Sequence, residues 1–410
     1  MKKELYRQNI QEVSASIVQT EIQAVRSKNI TKTGMRVYDG EHIGIAGALG
    51  DGEERDLLAR AEKSLGRKLP YPFEPATGGK RWDKISSNIA DGQDFIAEMG
   101  KMLEELKARH PEFIFGNKLN FANAEVSLRN DNGLDYLYKS SAQELLLTVK
   151  EKKSSNIYDA FLEYDGTSYN REDFLTTGSI ICDAFLQSAD IDDGEYPVMF
   201  FSSDSTYYAK LAESLNGLFY GSGTSLFSGK IGEKLFSEKV AVYQTRNKDD
   251  HIYLPFFDFE GTVNPEDRYT LVHNGVIKSA YTNRNYSKKY ELPHTGAAAG
   301  AYDSVPDLGG VRFVIGESEK TAAELLDGRK GILVYIASGG DFTSDGAFAS
   351  PVQLGYLCDG ERIIGKLPAF SISSHLYNMF GDDFIGVSKD SILPNSHDKL
   401  AIINMNVTKD

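Results

Sequence analysis

The chain has 410 residues, which is too long for one ordinary hydrophobic core, so we expect two domains. Its net charge of −14 opposes binding to a phosphate backbone, which requires a basic surface, and we therefore expect no nucleic-acid partner. The two cysteines, Cys182 and Cys358, form no Cys-x-x-Cys pair, which excludes a cysteine-based zinc cluster and favours a reducing cytoplasm. The N-terminal sequence lacks the apolar segment of a signal peptide, and no run of about 18 apolar residues predicts a membrane span.

In the N-terminal half, the hydrophobic spacing predicts both helices and strands. Ile10, Val13, Ile17 and Ile22 are spaced approximately as on a helix face, so the first ~25 residues are predicted to form a helix. Apolar spacing together with start and stop signals predicts further helices. These lie at 53–65, from about Asp91 to 109, and at 171–187. Strands are predicted around 36–38 and 43–46 and within 118–152, and 70–82 is predicted to be a loop.

An acidic, turn-rich segment at 188–196 is the predicted boundary between an N-terminal domain at 1–190 and a C-terminal domain at 191–410. Beyond it, a buried-type strand at 197–201 leads into a predicted amphipathic helix at 207–221 and then a glycine-rich loop. Strands cluster without regular β-α-β alternation. We therefore expect an α+β fold in which both domains have mainly antiparallel sheets and packed helices, with the C-terminal domain richer in strands.

Four segments stand out, in this order along the chain: GMRVYDGEHIGIAGALGD at 34–51, the strand pair around the turn at 129–133, FFDFEGTVNPEDRYTLVHNGVIKSAYTNRNYSKKY at 256–290, and GGDFTSDGAFASPVQLGYLCDGERI at 339–363. Each alone is weak, because Asn-Gly and Asp-Gly turns are common between strands. Together and in order they resemble the blocks of the TldD/TldE/PmbA family, the "modulator of DNA gyrase" peptidases. The chain is identified as a member of that family.

In the family's active subunit, the helix that matches 207–221 carries His-Glu-x-x-x-His, and its two histidines hold a catalytic metal. The matching positions here are Ala212 and Gly217 around Glu213, or Asn216 if the register shifts by one. The resemblance therefore implies the family's metal-free subunit, usually called TldE or PmbA, with no catalytic residue and no metal ligand. Glu213 would be a relic of the general base, although a solvated charge on the helix face is its simpler interpretation. Zinc is expected only on a partner subunit.

The histidines supply no other metal motif, because no two of them are spaced to point the same way from one helix. The seven are His42, His110, His251, His273, His294, His375 and His397. Cys358 is expected to be a half-buried apolar residue rather than a metal ligand. Convergence of His273, His294 or His375 with a carboxylate of the C-terminal half would instead support a self-sufficient enzyme with an unconventional metal site.

Three residues are candidates for peptide binding: Thr295, Gly296 and Asn216. The segment 294–310 is rich in small residues and is predicted to be an exposed loop, which could admit an extended peptide through backbone hydrogen bonds. In relatives the corresponding Thr-Gly block lines the substrate chamber, which implies that role for Thr295 and Gly296. A simple surface loop is the alternative. Asn216 is most simply a residue at a helix end.

Two smaller charged clusters are given structural interpretations. Arg284, Lys288 and Lys289 are interpreted as the charges of a solvated strand or turn rather than a binding patch. Asp341 and Asp345 stand beside glycines, which is typical of turn-forming aspartates rather than of a catalytic carboxylate pair.

The resemblance implies a cytoplasmic two-subunit metallopeptidase that matures peptides or degrades unfolded ones. A TldD-like chain would bring the metal, and this chain would bind and enclose an unfolded or extended peptide. Two alternatives stay open. One is a self-sufficient homodimeric metallopeptidase with an unconventional site, and the other is a stand-alone peptide-binding homodimer. None of these functions calls for a nucleic acid or a membrane as partner.

Overall fold

The structure is a computed structural model and describes residues 1–409. Residues up to 186 form three helices and eight strands within the described chain. In chain order these are β1 (Lys2–Val18), β2 (Glu21–Tyr38), β3 (His42–Leu49), α1 (Glu54–Leu65), β4 (Leu69–Pro70), β5 (Lys80–Ile85), α2 (Gly92–Arg109), β6 (Phe113–Asn130), β7 (Asp135–Glu151), β8 (Ala160–Gly166) and α3 (Arg171–Leu186).

All eight strands of this half belong to one sheet, with the order β4-β3-β2-β1-β6-β7-β5 and with β8 also paired to β7. Four of them, β1, β2, β6 and β7, are 17 or 18 residues long. They pair antiparallel along nearly their whole length, whereas β5 runs parallel to β7. The strands predicted around 36–38 and 43–46, within the segment 34–51, are the β2–β3 pair, and the predicted turn at 129–133 joins β6 to β7.

The predicted N-terminal helix is wrong, because residues 2–18 form β1. The spacing of Ile10, Val13 and Ile17 is compatible with a helix, but β1 lies between β2 and β6 and pairs with both. Those ladders connect residues that are far apart in sequence, so local periodicity does not reveal them. The predicted loop at 70–82 is also shorter than expected, because β4 ends at Pro70 and β5 begins at Lys80.

The other three helices of this half are confirmed, and two of them, α2 and α3, begin at a side-chain cap. At α2, one Asp91 carboxylate oxygen accepts hydrogen bonds from the backbone N–H groups of Gln93 at 2.8 Å and Asp94 at 3.0 Å. This cap satisfies two donors that an uncapped helix leaves free. The buried face of α2 then packs on the sheet through Phe95, Met99, Met102, Leu103 and Leu106.

Residues 194–409 form the remaining elements of the described chain. In chain order these are β9 (Gly194–Phe201), α4 (Ala209–Ser214), α5 (Gly217–Ser222), β10 (Val242–Thr245), β11 (Arg268–His273), β12 (Val276–Ile277), α6 (Arg284–Tyr290), β13 (Ala298–Ala299), β14 (Asp307–Leu308), β15 (Arg312–Ile315), α7 (Ala322–Leu326), β16 (Gly331–Ala337), β17 (Asp341–Phe342), β18 (Ala347–Cys358), β19 (Ile363–Lys366), β20 (Phe370–His375), α8 (Leu376–Met379), β21 (Phe384–Val387) and β22 (Leu400–Lys409).

The largest sheet of this half closes on itself. Its order is β16-β9-β22-β20-β18, and β18 pairs back with β16, while β17, β19 and β21 extend it. The β9–β16 pair is parallel and the other pairs are antiparallel. A separate four-stranded sheet, β12-β11-β10-β15, shares the apolar core with this closed sheet. The predicted α+β class with mainly antiparallel sheets is confirmed.

A continuous apolar core joins the two halves. It contains the buried faces of α2 and α3 together with Leu333, Tyr356 and Leu400 of the closed sheet. The hydroxyl of Tyr335 also donates a hydrogen bond to the Phe161 carbonyl oxygen at 2.7 Å across the same junction. The predicted boundary at 190/191 falls between α3 and β9 and stays a prediction. Within residues 1–409, none of the helices has the length and apolar character needed to cross a bilayer.

Candidate functional site

The segment predicted as one helix at 207–221 is broken into a 3-10 turn at Ser205–Tyr207, then α4 and α5. The break is at Asn216, which has extended φ and ψ of −69° and 123° and caps α5. Its side-chain oxygen accepts hydrogen bonds from the N–H groups of Leu218 at 2.9 Å and Phe219 at 3.4 Å, and its amide donates to the Tyr281 hydroxyl at 2.9 Å. An asparagine that begins a new helix cannot also continue the old one.

The bend separates positions 212 and 217, which the resemblance matches with the two histidines of His-Glu-x-x-x-His. Ala212 lies in α4, whereas Gly217 is the first residue of α5. A side chain at 217 has no room, because a Cβ there would lie 2.6 Å from a Thr282 methyl group and 2.7 Å from the Tyr281 carbonyl oxygen. A histidine at this position would therefore require the backbone to move.

Glu213 lies on the outer surface of this bend, with its side chain 51% exposed, and pairs with Lys210 at 2.6 Å. The bend offers a metal ion few ligands: Ala212 has a methyl group, Gly217 has no side chain, and the Glu213 carboxylate is already paired with Lys210. Catalytic zinc usually takes three protein ligands. The residues at the bend therefore do not fit a metal ion.

The structure brings a different set of ionisable groups together. Asp258, Glu260 and His294 have ligand-type atoms that all lie within 4.8 Å of one another. Both carboxyl groups are buried, and the His294 imidazole is partly buried. His294 is one of the three histidines that the sequence named for convergence with a carboxylate. The other two, His273 and His375, belong to no such group among residues 1–409.

The Asp258 carboxylate is held by the backbone of its own neighbourhood. One oxygen accepts hydrogen bonds from the N–H groups of Glu260 at 2.9 Å and Thr262 at 2.8 Å, and the other accepts from the Ala298 N–H at 3.1 Å. Complete burial raises the pKa of Asp258, and the negative charge of Glu260 raises it further. Asp258 therefore fixes the turn at 258–262 and ties it to β13.

Glu260 is held mainly by side chains. Its carboxylate accepts hydrogen bonds from the Tyr71 hydroxyl at 2.6 Å and from the Arg284 backbone N–H at 3.1 Å, and His294 Nε2 approaches to 3.5 Å. Burial raises the pKa of this carboxyl. The nearby His294 imidazole, the Tyr71 hydroxyl and the Arg284 guanidinium together more than offset that effect, so the pKa lies below its ordinary value. Glu260 is therefore a buried carboxylate with its charge compensated by protein groups.

Residues of the first sheet and its loops complete this cluster. Arg36 donates from Nη1 to the Phe259 carbonyl oxygen at 2.7 Å and to the Glu4 carboxylate at 3.1 Å, and its guanidinium stacks 3.8 Å from the Phe259 ring centroid. The Arg284 guanidinium, in turn, donates to the Glu74 carbonyl oxygen at 2.7 Å. We call the loop at 256–262 with these partners the polar junction, because it joins the two halves.

The C-terminal half of the chain matches a known protein family. A family model described as the PmbA/TldA metallopeptidase C-terminal domain matches residues 193–404. That region includes the bend at Asn216 and the loop at 256–262. The chain belongs to the PmbA/TldD family.

Two curated relatives match parts of the chain. A zinc metalloprotease TldD homolog of Saccharolobus solfataricus is 25% identical over 192 residues, which are 44% of this chain and 41% of that protein. An uncharacterized protein of Methanocaldococcus jannaschii is 28% identical over 160 residues, 38% of this chain and 36% of its own length. The matched regions thus span less than half of either relative.

Solved structures match the PmbA/TldD fold along the whole chain. TldE from Thermococcus kodakarensis superposes with a TM-score of 0.82 at 19% identity, covering 99% of this chain and 96% of that one. A protein from Thermotoga maritima described as a modulator of DNA gyrase superposes with a TM-score of 0.79 at 16% identity, with the same coverage. The superpositions establish a shared fold, and at identities this low they establish the fold alone.

Within this PmbA/TldD chain, the predicted peptide-binding residues Thr295 and Gly296 are buried. The Thr295 hydroxyl accepts from the Thr282 N–H at 2.8 Å and donates to the Gln244 side-chain oxygen at 2.9 Å, while its carbonyl oxygen accepts from Gln244 and Asn264. The expectation that 294–310 is an exposed loop is therefore wrong at 295–298. The sequence missed this because small residues fit an exposed loop and a tightly packed one equally well.

The structure also tests the expectations for the basic cluster at 284–289 and for Cys358. Arg284, Lys288 and Lys289 lie on α6, so the predicted strand or turn is wrong, and the Arg284 side chain is only 17% exposed. Cys358 is fully buried at the end of β18, where burial raises the pKa of its thiol to about 11. A thiol that resists ionisation is a poor metal ligand, since the thiolate is the binding form.

Proposed function

We propose that this chain is the TldE/PmbA-type subunit of a two-subunit metallopeptidase, and that it binds and encloses peptide without holding the catalytic metal. One observation carries the proposal. The positions that match the two metal-binding histidines of the family's active subunit are occupied by Ala212 and Gly217, on two different helices separated by the Asn216 cap.

The chemistry of peptide hydrolysis supports this assignment. In a metallopeptidase, hydrolysis at neutral pH uses a bound metal that lowers the pKa of its water ligand. Glu213 alone cannot replace that metal, because it is exposed and already paired with Lys210. A second chain must therefore supply the metal centre, and the TldD homolog among the matched relatives indicates what kind of chain that is.

In this arrangement the present chain contributes a wall of the peptide chamber, and the metal-bearing partner contributes the reaction. The substrate is an unfolded or extended peptide, and the process is peptide maturation or the degradation of unstructured peptides. Asn216 stays a candidate contact because it is half-buried at the bend, whereas Thr295 and Gly296 act from beneath the surface by shaping it. A reducing cytoplasm stays the predicted location, in agreement with two free, buried cysteines.

The test is co-expression with the TldD-like chain of the same host, followed by gel filtration and metal analysis of the eluted species. We expect a stable complex that cleaves a fluorescence-quenched, unstructured peptide, with zinc present only when the partner is present. Each chain alone is the control. Two stable, separate chains on gel filtration would contradict the proposal.

A second function is favoured by one specific observation, the convergence of His294 with Asp258 and Glu260. A metal there would make the chain a self-sufficient homodimeric metallopeptidase. The three groups are close enough for a metal, but both Asp258 oxygens and both Glu260 oxygens already accept hydrogen bonds from protein donors. Of these three residues, as the structure describes them in 1–409, His294 contributes the one buried ligand-type atom, Nε2, that makes no hydrogen bond, and it lies 3.5 Å from the Glu260 carboxylate. We therefore prefer the metal-free assignment.

Metal content by mass spectrometry, on protein purified without chelators or nickel resin, separates these two functions. Near-stoichiometric zinc that is lost in His294→Ala would establish the self-sufficient enzyme. A value near zero would exclude it. If peptide is then bound without turnover and without any partner chain, the stand-alone peptide-binding homodimer is the remaining function.

A further inference from the structure

The N-terminal part of β2 has an open edge. β2 pairs with β1 from Glu21 to Tyr38 but with β3 only from Lys32 to Tyr38. Among residues 1–409, no strand therefore covers the outer side of 21–31. Such an edge presents unpaired backbone groups to any extended chain that reaches it.

The backbone direction along this edge follows from one hydrogen bond. The Gly50 N–H donates to the Thr31 carbonyl oxygen at 2.8 Å, so the polar groups of Thr31 point to the open side. Backbone direction alternates along a strand, and the register with β1 is regular from Val25 to Thr31. The N–H and C=O groups of Val25, Ser27 and Asn29 therefore also point outward.

One face of the open edge borders a shallow, mainly apolar groove. The groove, of about 800 Å³, lies between β1, β2 and the first turns of α2, and is lined by Val13, Val25, Ile96 and Ala97 together with Ser27, Asp91, Gly92 and Gln93. The Val25 side chain is 48% exposed there. A strand added at the edge would place every second side chain over this groove, since side chains alternate between the two faces.

The opposite face is basic. Arg26, Lys28, Ile30 and Lys32 follow one another at two-residue spacing, so they share that face, and three of the four are basic. Lys28 pairs with Glu12 at 2.8 Å, whereas Arg26 has no ion pair within residues 1–409. The field along this face therefore favours acidic side chains on an added strand.

The same charges oppose pairing with a second copy of the chain. An antiparallel two-fold pairing centred on Ser27 would set Arg26 against Lys28 of the other copy. A pairing centred on Arg26 would set Arg26 against Arg26 of the other copy, and a pairing centred on Lys28 would set Lys28 against Lys28. Like charges directly opposite each other destabilise a strand pair. The occupant that fits is an acidic chain.

We propose that the open edge of β2 at 25–31 binds an extended peptide segment in which acidic side chains alternate with apolar ones. Its backbone pairs with Val25, Ser27 and Asn29, its apolar side chains enter the groove beside α2, and its acidic side chains lie next to Arg26 and Lys28. Strand addition of this kind takes affinity from the backbone and selectivity from the alternate side chains. The site lies on the first sheet and does not depend on the function proposed for the α4–α5 bend.

The test uses the full chain and two fluorescein-labelled eight-residue peptides, one alternating valine with glutamate and the other alternating valine with lysine. Binding is followed by fluorescence anisotropy at low salt. We expect the glutamate peptide to bind at least about tenfold more tightly than the lysine peptide, a difference of about 1.4 kcal/mol. The charge-reversed variant Arg26→Glu/Lys28→Glu should invert this preference, whereas Lys153→Glu, an exposed reversal after β7, should leave it unchanged.

A second variant tests the backbone pairing. Ser27→Pro removes an N–H that points to the open side, so the ladder with β1 is retained and proline is tolerated. We expect the glutamate peptide to bind at least about tenfold more weakly to this variant at unchanged melting temperature. Equal affinity of both peptides, or an unchanged preference in the charge-reversed variant, would overturn the proposal. So would sedimentation showing a dimer that Ser27→Pro converts to monomer, because the occupant would then be a second copy.

Discussion

The α4–α5 bend and the polar junction differ in how they treat charged groups. At the bend, Glu213 follows Ala212, one of the two positions compared with the metal-binding histidines of the family's active subunit. Its carboxylate is half exposed and pairs with the neighbouring Lys210. At the junction, Glu4 and Arg36 are at most 1% exposed, and they form an ion pair at 3.1 Å with further hydrogen bonds on both sides. The charges that look catalytic in sequence are solvated, and the buried charges are shared between protein donors and acceptors.

An ionisable cluster in this chain can have the distances of a metal site and still be structural. A cluster with buried carboxylates and a histidine resembles a metal site by distance alone. At the junction the carboxylate oxygens accept hydrogen bonds from backbone N–H groups and from Tyr71, and Arg284 compensates charge. Such a network can hold the two halves in one relative position, because displacing the halves would leave buried charges without partners, at a cost in free energy. The following variants test that interpretation.

The largest effect is expected for Arg36→Met. The substitution keeps most of the side-chain volume but leaves the Glu4 carboxylate buried without its cation. Breaking a buried pair by removing one partner costs about 3–5 kcal/mol, and we expect that loss in the free energy of unfolding from urea denaturation. Lys107→Met is the matched control, because Lys107 and Glu21 are 57% and 71% exposed and a surface pair contributes about 0–1 kcal/mol.

The double variant Arg36→Met/Glu4→Gln sharpens this result. Glutamine keeps an oxygen that can accept from Tyr38, which donates to Glu4 at 2.8 Å, and removes the unpaired charge. We expect part of the stability to return. If the double variant is less stable than Arg36→Met by the full cost of a second, independent substitution, the two residues are not coupled.

A smaller loss is expected for Tyr71→Phe. It removes the 2.6 Å hydrogen bond to Glu260 and leaves one buried carboxylate oxygen without that donor. A hydrogen bond to a charged group contributes about 1.5–3 kcal/mol, which should appear as a lower midpoint in urea at unchanged slope. Tyr158→Phe serves as the control, because the Tyr158 ring packs on Phe161, outside the junction. A Tyr71→Phe protein as stable as the control would show that the junction is held by packing alone.

At the bend, Asn216→Ala should cost about 1–2 kcal/mol, since it removes the cap of α5 and the hydrogen bond to Tyr281. Asn216→Asp keeps the accepting oxygen and loses only the donor to Tyr281, so we expect it to retain most of the stability. Thermal unfolding of both variants checks the order. Equal losses would mean that the Tyr281 contact, rather than the cap, fixes the bend.

Local signals explain which parts of this comparison the sequence could predict. Asp91 caps α2 through neighbours two and three residues away, and the start of that helix is predicted there. Asn170 caps α3 through Asp173, three residues away, and the apolar spacing of 171–187 predicts that helix. The order of the four blocks also identified the family. β1 was missed because its partners lie on β2 and β6, and the Asn216 break was missed because an apolar stripe continues across it.

The polar junction was only partly predictable. The sequence names His294 as one of three histidines whose convergence with a carboxylate would support a self-sufficient enzyme, but it does not single out Asp258 and Glu260 within the block at 256–290. The available signal was the alternation of acidic residues with phenylalanines in FFDFEG, where a run of large apolar side chains indicates burial. Tyr71 and Arg36 could not be paired with that block, because the contacts join residues more than 180 positions apart.

The smallest effect is expected for Glu213→Gln. The side chain is half exposed and its only ion pair is with Lys210, so the free energy of unfolding should change by no more than about 0.5 kcal/mol. The complex with a TldD-like partner should cleave an unstructured peptide within about twofold of its original rate, because a carboxylate without a metal-bound water beside it has no proton to remove. A hundredfold loss of kcat at unchanged stability would instead make Glu213 a catalytic base acting on the partner's metal centre. The bend would then be part of the active site, and the contrast between a solvated, inert carboxylate there and the buried, structural carboxylates at the junction would no longer hold.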